Sequence, residues 1–201
     1  MQKESIYMPI EKIIISIAIK NAQANLKSVA DKIAGINFPD PLYIEFQLGR
    51  LSDAYIEKVV KEVPAGYSKE YEDTDFLYIF KLIDADDDKK KAIDDNFTKY
   101  RDIQNTEGFE GKKDCCRYND KLSDYLYIGR SQKLRSRLKQ HLGAAYEGIF
   151  AMHMLRWTAG LECRIEVSFY EFKSQDNLIV QALEDGLWQS FCPMFGRKGE
   201  K

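Results

Sequence analysis

The sequence predicts a small α/β (α+β) unit that opens with an antiparallel hairpin, preceded by an accessory segment over residues 1–70. Three observations lead there. Residues 76–83 and 125–129 alternate apolar and polar or aromatic side chains as strands do. Apolar residues then return at helical spacing over 131–142, 145–157 and 177–191, with a strand-like run at 161–172 between the last two. The charge balance, 30 Lys and Arg against 32 Asp and Glu in 201 residues, and the 44% hydrophobic content suit a chain with a real core.

Taken in order, residues 10–34 read as an amphipathic helix stopped by Gly35 and the turn residues Asn37, Pro39, Asp40 and Pro41. The apolar run from Ile13 to Ile19 is too short to span a bilayer. Ala18, Ala22, Leu26 and Ala30 continue its four-residue spacing, so a helix is preferred over a leader peptide. Residues 42–48 alternate as a strand and 52–63 as a helix, with no chemical motif in either. Residues 84–124 are rich in charge of both signs and read as an insertion within a domain over 71–201. Its run from Asp86 to Lys91 suits a solvated face or a helix end. Because the segment also holds Phe97, Tyr100, Ile103 and Phe109, it is expected to fold partly and to grip substrate. The core is expected to survive its replacement by a short turn.

The four cysteines, Cys115, Cys116, Cys163 and Cys192, show no zinc-site spacing and suit reduced thiols in a cytoplasm. A net charge of −2 excludes a generally polycationic nucleic-acid binder, so any such contact must be local. One stretch qualifies. Between Tyr125 and Ala145 lie Arg130, Lys133, Arg135, Arg137 and Lys139 with no Asp or Glu. Gly129 permits a sharp turn there, Ser131 is placed to cap the helix that follows, and Arg137 and His141 project together at i, i+4.

Tyr127-Ile128-Gly129 followed by Arg130-Ser131, Leu134, Arg137-Leu138 and His141 resembles the second half of the GIY-YIG nuclease signature. Phe76-Leu77-Tyr78 takes the place of the first half, and Glu184 with Pro193 takes that of the late Glu and Pro. The sequence departs from the pattern in three places. Phe76 stands where the family has Gly, Gly196 where it often has Asn, and the segment from Tyr78 to Tyr127 is far longer than the usual hairpin.

The resemblance implies a three-stranded antiparallel sheet flanked by helices, and a metal-dependent DNA endonuclease of restriction or stand-alone type. It implies Tyr78, Tyr127, Arg137, His141 and Glu184 as catalytic residues, with Glu184 holding Mg²⁺ or another divalent cation such as Mn²⁺. Arg137 would hold the phosphate. Tyr78 is the first choice of base, with Tyr127 and His141 orienting water or sharing the proton. Arg130, Lys133, Arg135, Lys139, Arg197 and Lys198 would contact DNA. The alternative is a degenerate module that binds nucleic acid or a protein without cutting. No membrane partner is expected, and a monomer or a homodimer remains open.

Overall fold

Among the residues that the computed structural model describes, 10–65, 69–144 and 148–199, five α-helices accompany one four-stranded sheet. The chain divides into two compact units between Phe38 and Pro39. The described part of the first is one helix, α1 (Ile10–Ala34), which matches the apolar periodicity. No helix among the described residues is long and apolar enough to cross a membrane.

The second unit contains β1 (Leu42–Gln47), α2 (Asp53–Lys61), β2 (Thr74–Leu82), α3 (Asp87–Asn105), β3 (Tyr125–Ser131), α4 (Leu134–Leu142), β4 (Arg164–Lys173) and α5 (Asn177–Phe191). The strands pair antiparallel in the order β1-β4-β2-β3. β2 is central and buried along nearly its whole length, which explains why it reads as an almost continuous apolar run. Phe76, Tyr78 and Phe80 point to one face, where they join Phe46, Val167, Leu138 and Phe97 in the main core. Leu77 and Ile79 point to the other, where α5 packs across β3 and β2.

Three expectations need correction. The sheet has four strands rather than three, because β1 pairs with β4 from Leu42↔Phe169 to Gln47↔Arg164. For the same reason the accessory segment does not stand apart as a whole over 1–70: β1 joins the sheet and α2 packs on α4, although residues 1–9 and 66–68 lie outside the described residues.

The helix expected over 145–157 is absent from the described part, 148–157, which holds one turn of 3-10 helix at Met154–Arg156. Its backbone bonds run sideways instead of along a helix. Ala151 donates to the Asp114 carbonyl and accepts from Cys116 N–H, and His153 takes a left-handed φ of 48°.

The insertion folds over part of its length, as its apolar residues led one to expect, with α3 as its helix. Asp86 caps α3 by accepting from Lys89 N–H at 2.9 Å, and Asp87 and Asp88 complement the helix dipole in the first turn. Ile93 and Phe97 are fully buried, with the Phe97 ring 4.1 Å from that of Phe195 and 5.4 Å from that of Trp157. All four cysteines are free thiols.

Candidate active site

Two adjacent strands and one helix build the centre of the site. Tyr78 in β2 lies opposite Gly129 in β3, and Phe80 lies opposite Tyr127, so both tyrosines share one face of the sheet. Their rings stack 6.2 Å apart and 8° from parallel. Gly129 makes this possible: a Cβ there would lie 2.7 Å from the Tyr78 hydroxyl and 2.8 Å from the Tyr127 ring. Gly196 seats the other edge of Tyr127, with φ of +88° and a virtual Cβ 2.7 Å from that ring.

α4 adds two groups from one face, beginning at Leu134 rather than at Ser131. Ser131 ends β3, and its hydroxyl accepts from Lys133 N–H at 3.0 Å, bracing the turn. His141 is fully buried with Nε2 3.2 Å from the Tyr78 hydroxyl. Met152 N–H donates to His141 Nδ1 at 3.4 Å, so Nε2 carries the ring proton and donates it to the Tyr78 oxygen. Burial, with the Arg137 charge beside it, holds the His141 pKa well below its ordinary value, and the ring stays neutral. Arg137 donates to Gln140 Oε1 at 2.8 Å and to the Tyr127 hydroxyl at 3.4 Å. Desolvation opposes its charge, but the facing Tyr78 and Tyr127 hydroxyls outweigh that and raise its pKa.

The tyrosines differ in access. Tyr78 is 1% exposed, and burial followed by the neighbouring Tyr127 raises its pKa. Tyr127 is half-buried and also shifted upward by burial, but it borders open space and faces the Arg137 guanidinium.

α5 supplies the acid. Glu184 Oε2 accepts from Arg130 Nε at 3.2 Å, both side chains being largely buried. Arg130 is held further by Asn177 and by Gln181 Oε1 at 2.8 Å. Burial pushes the Glu184 carboxyl up to about 7; Arg130 counters this, and Asp185 and Asp75 add to it. A cleft of about 700 Å³ joins these groups, bordered by Asp75, Arg130, Lys133, Arg137, Gln181 and Glu184. A second cleft of about 440 Å³ is bordered by Tyr127 and by Arg137, which borders the first as well.

Tyr78, Tyr127, Arg137 and His141 therefore meet directly, and Glu184 shares a cleft with Arg137. Arg130 and Lys133 border that cleft, and Arg197 borders the second. Lys198 is exposed. Arg135 and Lys139 face elsewhere: Arg135 caps the end of α2 through the Val63 carbonyl at 2.6 Å, and Lys139 pairs with Glu57 of α2 at 2.6 Å. Sequence reasoning missed Asp75, Asn177, Gln181 and Phe150, whereas Arg117, one of the insertion's basic residues expected to reach phosphates beside the site, does border the second cleft. Asn177, Gln181 and Glu184 fall at i, i+4, i+7 on one face of α5, a spacing that was there to be read.

No cluster of three His, Cys, Asp or Glu occurs among the described residues. The chemistry of Glu184 still suits a divalent cation with mostly water ligands. Its carboxylate is largely desolvated and borders an open cleft beside Asp75, and burial raises its pKa even with Arg130 attached. Comparison of the chain with protein-family models, curated proteins and solved structures finds no match.

Proposed function

We propose that the chain is a metal-dependent DNA endonuclease of the GIY-YIG kind, restriction-type or stand-alone. The reading rests on one observation above all: of the residues singled out by their order in the sequence, Tyr78, Tyr127, Arg137 and His141 meet directly, and Arg137 shares a cleft with Glu184. In this reading Arg137 binds the nonbridging oxygens of the scissile phosphate, with Arg130 and Lys133 on the flanking backbone. Glu184, with Asp75 nearby, would hold Mg²⁺ or Mn²⁺, which supplies positive charge to the phosphate and the leaving oxygen.

Tyr127, rather than Tyr78, is the residue placed to take the proton of the attacking water. Its side chain borders the second cleft and its hydroxyl accepts from Arg137, whose charge favours the phenolate. Tyr78 is sealed beneath it and is a positioning residue, its oxygen held by His141 Nε2–H. The neutral imidazole keeps the tyrosine stack in place without adding a second positive charge.

The Arg130–Glu184 pair favours one second reading, a module that grips nucleic acid and does not cut, because it occupies the carboxylate a metal would need. Plasmid nicking separates the two. Supercoiled DNA is expected to relax with Mg²⁺ or Mn²⁺, to stay intact in EDTA, and to stay intact with a Glu184→Ala variant that still unfolds cooperatively. Binding without cleavage in either metal would establish the second reading instead.

A further inference from the structure

We infer that the cleft bordered by Tyr127, Phe150 and Arg137 is a subsite for an unpaired nucleotide of a DNA strand, flanking the phosphate held at Arg137. The inference rests on the endonuclease reading for the place of that phosphate. Three guanidiniums, Arg117, Arg137 and Arg197, border this cleft, and no Asp or Glu does among its described lining residues. They come from three separate parts of the chain, the tail of the insertion, α4 and the segment after α5. Gly196 N–H donates to the Arg117 carbonyl at 2.8 Å, so the two outer arginines are brought together by a backbone crossing built on the left-handed Gly196. The cysteines beside them add no opposing charge, because burial pushes the Cys115 thiol up to about 12 and the Cys116 thiol higher still. Such a site is matched to phosphate oxygens, which arginine forks bind in pairs.

Phe150 supplies the second observation. It borders the same cleft and is 63% exposed, an aromatic face left in water beside three cations. A nucleobase covers such a face by stacking, and every base offers the π-surface needed. In a duplex those faces are already covered by neighbouring base pairs, so only an unpaired nucleotide reaches the Phe150 ring. Arg137 borders both clefts and Tyr127 the second, so a strand passing over Arg137 would place its cleaved phosphate there and its next nucleotide against Phe150.

The test is binding in EDTA, where no cutting occurs, read by the anisotropy of a labelled twelve-nucleotide oligothymidylate and of a twelve-base-pair duplex. Phe150→Ala is expected to weaken single-strand binding about tenfold and duplex binding less than twofold, as loss of one stacked base requires. Phe150→Trp should restore it. Arg117→Gln should weaken both ligands and lower the salt dependence by about one phosphate contact. Single-strand affinity unchanged in Phe150→Ala, or lost equally for both ligands, would overturn the subsite. Selective single-strand loss in a protein that never nicks plasmid in Mg²⁺ would leave the subsite standing and remove the endonuclease reading. Nicking together with an inert Phe150→Ala would do the reverse.

Discussion

Gly129 is where backbone and chemistry meet at the scale of single residues. Its missing side chain lets the Tyr78 hydroxyl and the Tyr127 ring approach from either side, each within 3 Å of where a Cβ would stand. Gly129→Ala is expected to cost about 1–3 kcal/mol, the range for overpacking a filled core, and to part the tyrosine stack. Denaturant melts read the first effect and cleavage rates the second. Glu184 makes a prediction in pH. Its folded pKa of about 7 lies above the ordinary 4.5, so the folded state holds the proton more tightly than the unfolded chain does. That stabilisation is complete below about pH 4.5 and is lost as pH rises through about 7. Without divalent cation, Glu184→Gln should therefore be more stable than the parent at pH 8, by on the order of 3 kcal/mol, and equal to it near pH 4.5. Added Mg²⁺ should narrow the gap by stabilising the parent alone. A gap that widens toward acid would refute the assignment.

Among the elements, α3 decides how the insertion is understood. A charged helix between two core strands suggests an appendage, yet Ile93 and Phe97 reach the main core and the residues after the helix are tied in beyond it. Asp114, fully buried, accepts from Gln104 at 2.8 Å, Tyr100 at 3.1 Å and Arg156 at 3.0 Å. Its backbone carbonyl takes Ala151 N–H, one residue from the Met152 N–H that sets the His141 proton. The insertion thus supports the site from behind. Phe97→Ala should lower stability by about 3–5 kcal/mol in a urea melt. Excising 84–124 should abolish cooperative unfolding, contrary to the expectation that the core survives a short turn there. A shortened chain that still melts sharply would show α3 to be dispensable.

For the whole molecule, the division between Phe38 and Pro39 assigns every strand and every site residue to one side. A fragment of residues 39–201 is therefore expected to fold alone, with a single cooperative thermal transition by circular dichroism and dispersed backbone amide resonances. A fragment starting at residue 71, which lacks β1 and α2, should not. Removing them strips the β4 edge and uncovers the part of α4 that Arg135 and Lys139 tie to α2.

Local patterning by itself determined α1, β2, β3, α4 and α5, because two-residue alternation and i, i+4 stripes are imposed by the nearest neighbours in the chain. The order of Tyr78, Tyr127, Arg137, His141 and Glu184 was legible in the same way, as a motif. What only the tertiary structure decided depends on partners far away in sequence. The edge place of β1 is set by β4, more than a hundred residues on. The failure of 148–157 to become a helix follows from backbone bonds to Cys116 and Asp114. Apolar spacing in that stretch favours a helix, but burial of the Asp114 network against it wins. The same holds for the tyrosines. Nothing in the two motifs distinguishes them, and their access parts only because the packed sheet seals Tyr78 while Tyr127 borders a cleft. Burial is a property of the assembled layers, so it is the term a one-dimensional pattern does not contain.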